Sequence, residues 1–361
     1  MLPSAFDHLL PPTTPTAPTA LNAALLEAVK GVGRTRPNPP VGCVIVDDDV
    51  QKEQSAAGTE ADAIIARGFH HKAGERHAEI VALDELPPGR AKGKTVVVTL
   101  EPCTYQGRTP PCVDRLVREG VGRVVVGAID PNPRVRDQGV QRLRAAGVDV
   151  VVASGAEALR CQALVAPFAT TLTHQRPYVV LKIASSLDGK VATRTRSSRS
   201  ITGAPSRALA HRLRDAVDAV VVGAGTVLAD DPALTVRDAA GRDPLRVILD
   251  RQGRVGHEAR VFADENVLVL PSPTIAEALA ELHGRGLLAV LVEAGPRLAG
   301  AILQAGVVDE LWWFHAPIVV GSDGISAIGD RLLDDINLAP RFHVVTRVDV
   351  GEDTLTVMRP H

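Results

Sequence analysis

Apolar positions recur first with a helical period and then in short unbroken runs. Leu21, Ala24, Leu25, Ala28 and Val29 fall three and four apart, as on one face of a helix, and Gly31 and Gly33 end it. Pro37, Pro39 and Pro40 bar its continuation. VGCVIV at 41–46 reads as a strand, and the polar, acidic stretch 47–60 after it as a long loop. Next come a helix starting near His77, a strand at 95–100 (TVVVTL), a helix over about 111–119 and a strand at 123–128 (RVVVGA). A helix near 138–146, a strand at 148–153 and a helix from about 156 complete this half. Short Val-rich runs imply strands covered on both faces, so the expectation is a layered α/β domain.

A break around 170–177 marks the boundary. Strands then recur at 178–184 (YVVLKIA), 218–224, 246–250, 266–270, 287–294 (LLAVLVEA) and around WWF at 312–314. Helical segments near 204–215, 274–283 and 296–305 separate several of them, which makes a second α/β domain with no internal repeat of the first. Residues 1–19 are rich in Pro and Thr and read as a poorly ordered tail. The expected organisation is therefore a tail at 1–19, a first domain at 20–172 and a second at 177–361.

Composition narrows the function classes. The 361 residues are 45% hydrophobic and 23% charged with a net charge of -2, which argues against a polyanion-binding surface and so against nucleic acid. The four cysteines, at 43, 103, 112 and 161, are too few and too scattered for a disulfide framework. The N-terminal stretch lacks Lys and Arg, and Leu9-Leu10 runs straight into Pro11-Pro12, so it does not read as a secretory signal. No segment reaches the ~18 apolar residues of a membrane span. A cytoplasmic protein without membrane or nucleic-acid partners is expected.

One constellation carries chemistry. His77-Ala78-Glu79 reads HAE, Glu101-Pro102-Cys103 reads EPC, and Cys112 follows after eight intervening residues. One imidazole and two thiolates suit zinc, and three protein ligands leave a fourth position for water, as hydrolysis requires. Glu79, two residues after His77, stands near enough to serve as a base without ligating the metal. The plainer reading is a structural zinc site, but such sites close with four ligands and the sequence offers no second CxxC or HxxxH pair. Cys43 and Cys161 read as small core residues, and His70 and His71 stay outside the metal set.

These segments resemble the bifunctional deaminase/reductase family of riboflavin biosynthesis, the RibD family. The matching stretches are RPNPPVGCVIV (36–46), GERHAEIVAL (74–83), TLEPCTYQGRTPPC (99–112) and DPNP (130–133). In the second half they are LKIASSLDGKVAT (181–193), TVLADDPALTVR (226–237) and VEAGPRLAGAILQAG with VDEL (292–311). The resemblance implies a cytidine-deaminase-like three-layer α/β/α domain followed by a dihydrofolate-reductase-like α/β domain. The first would deaminate a diaminopyrimidine carrying a phosphoribosylamino group, using zinc. The second would reduce the ribosyl group to ribityl, using NADPH, and a homo-oligomer, dimer or tetramer, is expected.

Carried over by residue, His77, Cys103 and Cys112 match the zinc ligands, Glu79 the proton shuttle and Asn38 a pyrimidine contact. In the second domain Lys182 and Asp230 match catalytic positions. Ser198, Arg214, Leu234, Arg237 and Glu293 fall on the substrate side. Ala184, Ser200, Thr226, Asp230, Gly295 and Pro296 fall on the NADPH side. The residues themselves add that Arg214 and Arg237 could grip a phosphate with bidentate donors, and that Gly295-Pro296 opens a helix after a strand, where amides can hold an anion. No GxGxxG motif is present. Two positions depart from the family pattern. Tyr105 replaces a His, which alters the pyrimidine contacts, and Ser200 replaces a Trp, which predicts weaker NADPH affinity. The rival reading is a zinc deaminase of a nucleoside or base whose C-terminal domain binds ligand with weak or no reductase activity, and a zinc-stabilised scaffold is the non-enzymatic one.

Overall fold

The computed structural model describes residues 3–10, 19–49, 60–106, 110–197, 201–271, 274–329 and 333–361. Ser198 and Ser200, and most of the 47–60 loop, lie outside them. The main division of the chain falls between Thr173 and His174, giving two compact α/β units.

The first unit is built on a five-stranded sheet of order β2-β1-β3-β4-β5: β1 Gly42–Val46, β2 Ile64–Phe69, β3 Thr95–Val98, β4 Arg123–Val126 and β5 Asp149–Val152. The pairs β1–β2 and β1–β3 are antiparallel, and β3–β4 and β4–β5 parallel. Alternation within β1 sends Cys43 and Ile45 to one face and Val44 and Val46 to the other. Helices α1 (Ala20–Val29) and α5 (Gly155–Leu164) cover the second face through Ala24, Leu25, Ala28, Cys161 and Leu164. Helices α2 (Ala78–Asp84), α3 (Cys112–Arg118) and α4 (Gln138–Ala145) cover the first through Ala78, Ala82, Val113, Leu116, Val140 and Leu143. Three layers result, as the sequence predicts.

Two glycines let helices lie directly on the sheet. A Cβ at Gly42 would overlap the backbone of Ala24 and Ala28, and one at Gly68 would overlap Ala78 O and Ala82 N. Strand β2, which the sequence reading passes over, is therefore the floor under α2.

Two expectations need correcting. The N-terminal segment is not wholly unstructured: Ala5 and Phe6 are buried, Asp7–Leu9 form a 3-10 turn, Asp7 pairs with Arg160 at 3.2 Å, and Thr19 caps α1. A hydroxyl at the N-cap and two buried apolar side chains hold the described parts of it, residues 3–10 and Thr19. A further helix, α6 (Ala166–His174), also runs past the break expected from Thr170 onward.

The second unit holds an eight-stranded sheet of order β10-β9-β8-β11-β6-β12-β15-β14. Its parallel strands are β6 (Tyr178–Ser186), β8 (Ala219–Gly223), β9 (Leu245–Leu249), β10 (Val267–Leu270), β11 (Ala289–Glu293) and β12 (Glu310–Ala316). An antiparallel hairpin of β14 (Phe342–Val350) and β15 (Asp353–Pro360) closes one side, and β7 (Lys190–Ala192) pairs with β13 (Ile325–Ser326) apart from the main sheet. This mainly parallel sheet ending in an antiparallel hairpin is the second α/β domain expected. Val179, Leu181, Val221, Val247, Val290 and Val292 pack with Ala278, Leu279 and Leu282 of α9 (Ile275–Gly284) and Ala299 and Ile302 of α10 (Pro296–Gln304). Helices α7 (Ala204–Ala216) and α8 (Ala224–Asp230) precede and follow β8.

Candidate metal centre and second-unit site

In the first unit three donors converge. His77 is the N-cap of α2, with extended backbone, yet its side chain makes no capping bond. A Ser or Asp there would stabilise the helix by about 1 kcal/mol, which α2 forgoes. The imidazole turns instead toward sulfur, with Nδ1 3.3 Å from Cys112 Sγ and 3.5 Å from Cys103 Sγ. Cys112 opens α3 behind Pro111, and its backbone N–H donates to Cys103 Sγ at 3.3 Å. The ligand atoms of His77, Cys103 and Cys112 all lie within 4.8 Å of one another. An imidazole and two thiols so gathered are what a tetrahedral zinc ion with one open position takes.

The two thiols move in opposite directions: the hydrogen bond to Cys103 and burial push Cys112 well up, while Cys103 goes down. The Cys112 thiol, hydrogen-bonding to Cys103, holds the Cys103 pKa down to about 4, with His77 adding to the effect. Hydrogen bonding to Cys103 raises His77 in turn. Glu79, in the first turn of α2, is 3% exposed, and burial raises its pKa. A sealed carboxyl beside a hydrolytic centre is fit to carry a proton both ways.

Asn38 is brought to this site through His70. Its Nδ2 lies 3.1 Å from His70 Nε2, while His70 Nδ1 meets Arg76 O at 3.1 Å. His70 is 2% exposed and stands edge-on to His77, 5.2 Å between centroids. It remains outside the metal set but links the Asn38 amide to the residue preceding the His77 ligand. Tyr105 has an exposed side chain.

Sequence reasoning quoted Glu101 in its motif but missed its role. This buried carboxylate accepts four backbone N–H bonds: Asp130 (3.0 Å) and Asp137 (2.9 Å) on Oε2, Gly139 (2.7 Å) and Val140 (3.3 Å) on Oε1. Asp137, the N-cap of α4, makes no side-chain cap, so Glu101 caps that helix from a distant loop. The bonds tie the loop carrying Cys103 to the 130–140 segment. Arg142 of α4 adds a bond to Thr104 O at 3.2 Å and an ion pair with Asp114 of α3 at 2.5 Å.

In the second unit, strand register brings Lys182 of β6 beside Glu293 of β11 and Trp312 of β12. Burial lowers the Lys182 pKa, and its Nζ sits 5.6 Å from the Phe314 ring centroid. Glu293 is clasped by Arg214 of α7: Nε donates to Oε1 at 2.6 Å and Nη2 to Oε2 at 2.8 Å. Burial would raise the Glu293 pKa, but the Arg214 charge and hydrogen bonds bring it down to about 2. Arg214 Nη1 also donates to Thr235 O at 2.8 Å. The expected pair of phosphate-gripping arginines therefore divides: Arg214 is engaged within the protein, whereas Arg237 holds an exposed guanidinium with one bond to Thr235 Oγ1 at 3.3 Å.

Leu234 is buried in a left-handed conformation, φ 55°, so its backbone rather than its side chain is turned toward any ligand. Ala184 lies two residues beyond Lys182 on β6, opposite Phe314. Thr226 stands in the first turn of α8, and a Cβ on Gly295 would come within 3.0 Å of its hydroxyl. Gly295 caps α10 without a side chain and Pro296 is its first residue. A bare backbone beside a hydroxyl at a helix start fits the phosphate of a dinucleotide. Asp230 ends α8, exposed, before Asp231 turns left-handed at φ 40°.

A zinc-type hydrolytic centre in one α/β unit and a helix start open to a dinucleotide phosphate in another define a two-site enzyme that pairs a deaminase with a reductase. Residues 16–128 match the cytidine and deoxycytidylate deaminase zinc-binding region, and residues 177–355 the RibD C-terminal domain. The chain belongs to the RibD family. It is 38% identical to riboflavin biosynthesis protein RibD of Aquifex aeolicus over 92% of this chain and 95% of that one. With the same-named protein of Escherichia coli the identity is 37%, over 91% and 95%. Among solved structures, Acinetobacter baumannii RibD superposes with a TM-score of 0.83 at 35% identity, covering 95% and 98%. The diaminohydroxyphosphoribosylaminopyrimidine deaminase/5-amino-6-(5-phosphoribosylamino)uracil reductase of Thermotoga maritima gives 0.83 at 36%, covering 95% and 98%. No helix among the described residues is long and apolar enough to cross a membrane.

Proposed function

We propose that the protein is a bifunctional enzyme of riboflavin biosynthesis that works on one phosphoribosylated pyrimidine in two steps. The first is hydrolysis of the exocyclic amine of 2,5-diamino-6-(5-phosphoribosylamino)pyrimidin-4-one, assigned to residues 20–172. The second is reduction of the ribosyl group of 5-amino-6-(5-phosphoribosylamino)uracil to ribityl, assigned to residues 177–361. The observation that carries the reading is the convergence of His77, Cys103 and Cys112 beside the buried Glu79.

Zinc held by those three residues supplies the Lewis acidity that makes water nucleophilic at neutral pH. Glu79 would carry two protons in turn, the first from the attacking water to the ring nitrogen and the second from the added hydroxyl to the departing amine, so water enters and ammonia leaves. Asn38, oriented by His70, hydrogen-bonds the pyrimidine edge. In the second half the Thr226 hydroxyl and the Gly295-Pro296 turn would hold NADPH, which would supply a hydride for C1 of the ring-opened sugar. Lys182, lowered in pKa by burial, and Asp230 manage the accompanying protons. Arg237 meets the substrate phosphate, with the Arg214–Glu293 pair behind it, and the family resemblance adds Ser198 and Leu234 to the substrate side. Ala184, Ser200, Thr226 and the Gly295-Pro296 turn receive the cofactor.

The test combines both half-reactions in one tube. Ammonia should appear from the diaminopyrimidine substrate, followed by loss of the nicotinamide absorbance on adding NADPH. Absence of ammonia refutes the deaminase. Ammonia without NADPH consumption would favour the rival, a deaminase with a merely ligand-binding second domain.

A further inference from the structure

We propose that His211 is a positioning residue of the reductase half: its Nδ1 anchors the backbone of residues 237–238 and so aims the Arg237 guanidinium at the substrate phosphate. The proposal rests on the reductase reading above. His211 and Arg214 lie three apart on α7, on one face of the helix. His211 is 5% exposed, and its Nδ1 accepts the backbone N–H of Arg237 at 2.8 Å and of Asp238 at 3.3 Å. Arg214 Nη1 bonds Thr235 O two residues upstream. Three bonds from one helix face thus pin three residues of the stretch 235–238.

That segment needs an anchor. Asp231 and Leu234 hold φ of 40° and 55°, a left-handed region costing about 1 kcal/mol or more for each side-chain-bearing residue, and such conformations persist only where the surroundings impose them. Within three residues the chain passes from a buried Leu234 to an exposed Arg237. The direction of the arginine therefore follows from where its own backbone is held. A histidine that merely filled the core would not need to aim its lone pair at the amides of Arg237, the residue expected to meet phosphate, and of Asp238 after it.

Two N–H groups donating to Nδ1 require a lone pair there, which puts the proton of the neutral ring on Nε2. That nitrogen faces Asp238 Oδ2 at 3.8 Å and lies 3.5 Å from Arg214 Nη1. Protonating the ring would turn an N–H onto the two donors and end the anchor. Burial first, then the charges of Arg214 and Arg237, hold the His211 pKa below its ordinary value, against the opposing pull of Asp238 and Glu293. The anchor is accordingly intact at neutral pH and lost in acid, as pH falls through that lowered pKa.

The experiment uses the full chain and measures NADPH oxidation against concentration of the phosphoribosylaminouracil, with ammonia release from the same preparation as control. His211→Ala, losing both bonds, should raise KM about tenfold with kcat little changed. Inorganic phosphate, used as a competitive inhibitor, should weaken in parallel, and ammonia release should stay as it is. His211→Asn retains an acceptor near the Nδ1 position without titrating. It should recover most of the KM and remove the rise in KM expected of the wild type in acid. An unchanged KM in His211→Ala, or no recovery in His211→Asn, overturns the proposal. A wild-type chain that consumed no NADPH would instead refute the reductase reading beneath it.

Discussion

Replacing Glu101 by Gln changes one oxygen to an NH2 group and removes a charge, with almost no change in shape. The wild-type carboxylate receives four backbone N–H groups, two on each oxygen, at 2.7 to 3.3 Å. The glutamine can accept on one oxygen only, so whichever way it turns, its amide hydrogens face two backbone donors. Two charge-assisted bonds, each worth about 1.5–3 kcal/mol, are lost, for a destabilisation of about 3–6 kcal/mol in the first unit. Urea titration followed by residual ammonia release reads this directly, since that activity belongs to the affected unit. With a slope of about 2–3 kcal/mol per molar urea, the midpoint should fall by more than about 1 M. NADPH oxidation in the same samples should keep its wild-type midpoint, and zinc should dissociate more readily, because Cys103 lies two residues beyond the lost anchor. A midpoint within about 0.3 M of wild type would refute the idea that this carboxylate holds the metal loop.

Three further outcomes are expected. Glu79→Gln should lower ammonia release about 10²–10⁴-fold while zinc content and NADPH oxidation persist, and retained deamination would contradict its proton-carrying role. Chelating the metal should abolish ammonia release reversibly with little change in far-UV circular dichroism, whereas unfolding would mean that the zinc is structural. Glu293, with a folded-state pKa of about 2 against 4.5, adds stability that is complete above about pH 4.5 and lost as pH falls through about 2, roughly 3 kcal/mol in all. Glu293→Gln should flatten the stability profile across that window, and an unchanged slope would show that Arg214 does not depress this carboxyl.

Elements with one strong period were legible in the sequence. The Val-rich strands β3, β4, β8 and β11 and the amphipathic α1 and α9 appear within a few residues of where periodicity puts them. Strand β2 was not, because IIARGF has no alternation and its Gly68 serves a helix contact rather than a strand preference. The hairpin of β14 and β15 was missed because polar residues interrupt its apolar pattern. At the metal centre the residue types and spacing of His77, Cys103 and Cys112 sufficed, since zinc selects donors by chemistry. Glu101 could not be read the same way, because its partners are backbone amides 29 to 39 residues farther on. His211 likewise serves amides on another segment, and the bond between Arg214 and Glu293 spans 79 positions, so phosphate binding by both arginines was the natural reading of the chain alone.

Gly68 gives the metal centre an unexpected kind of fragility. Because a single methyl there would strike Ala78 O and Ala82 N, the height of α2 above the sheet is set by a hydrogen atom. His77 and Glu79 ride on that helix end, so their depth is governed from the strand beneath rather than from the pocket. A search for deaminases with altered substrate preference would find room in the loops above the site. At position 68 it would find only inactive chains, and a lineage carrying this centre can vary its rim while its foundation stays the same.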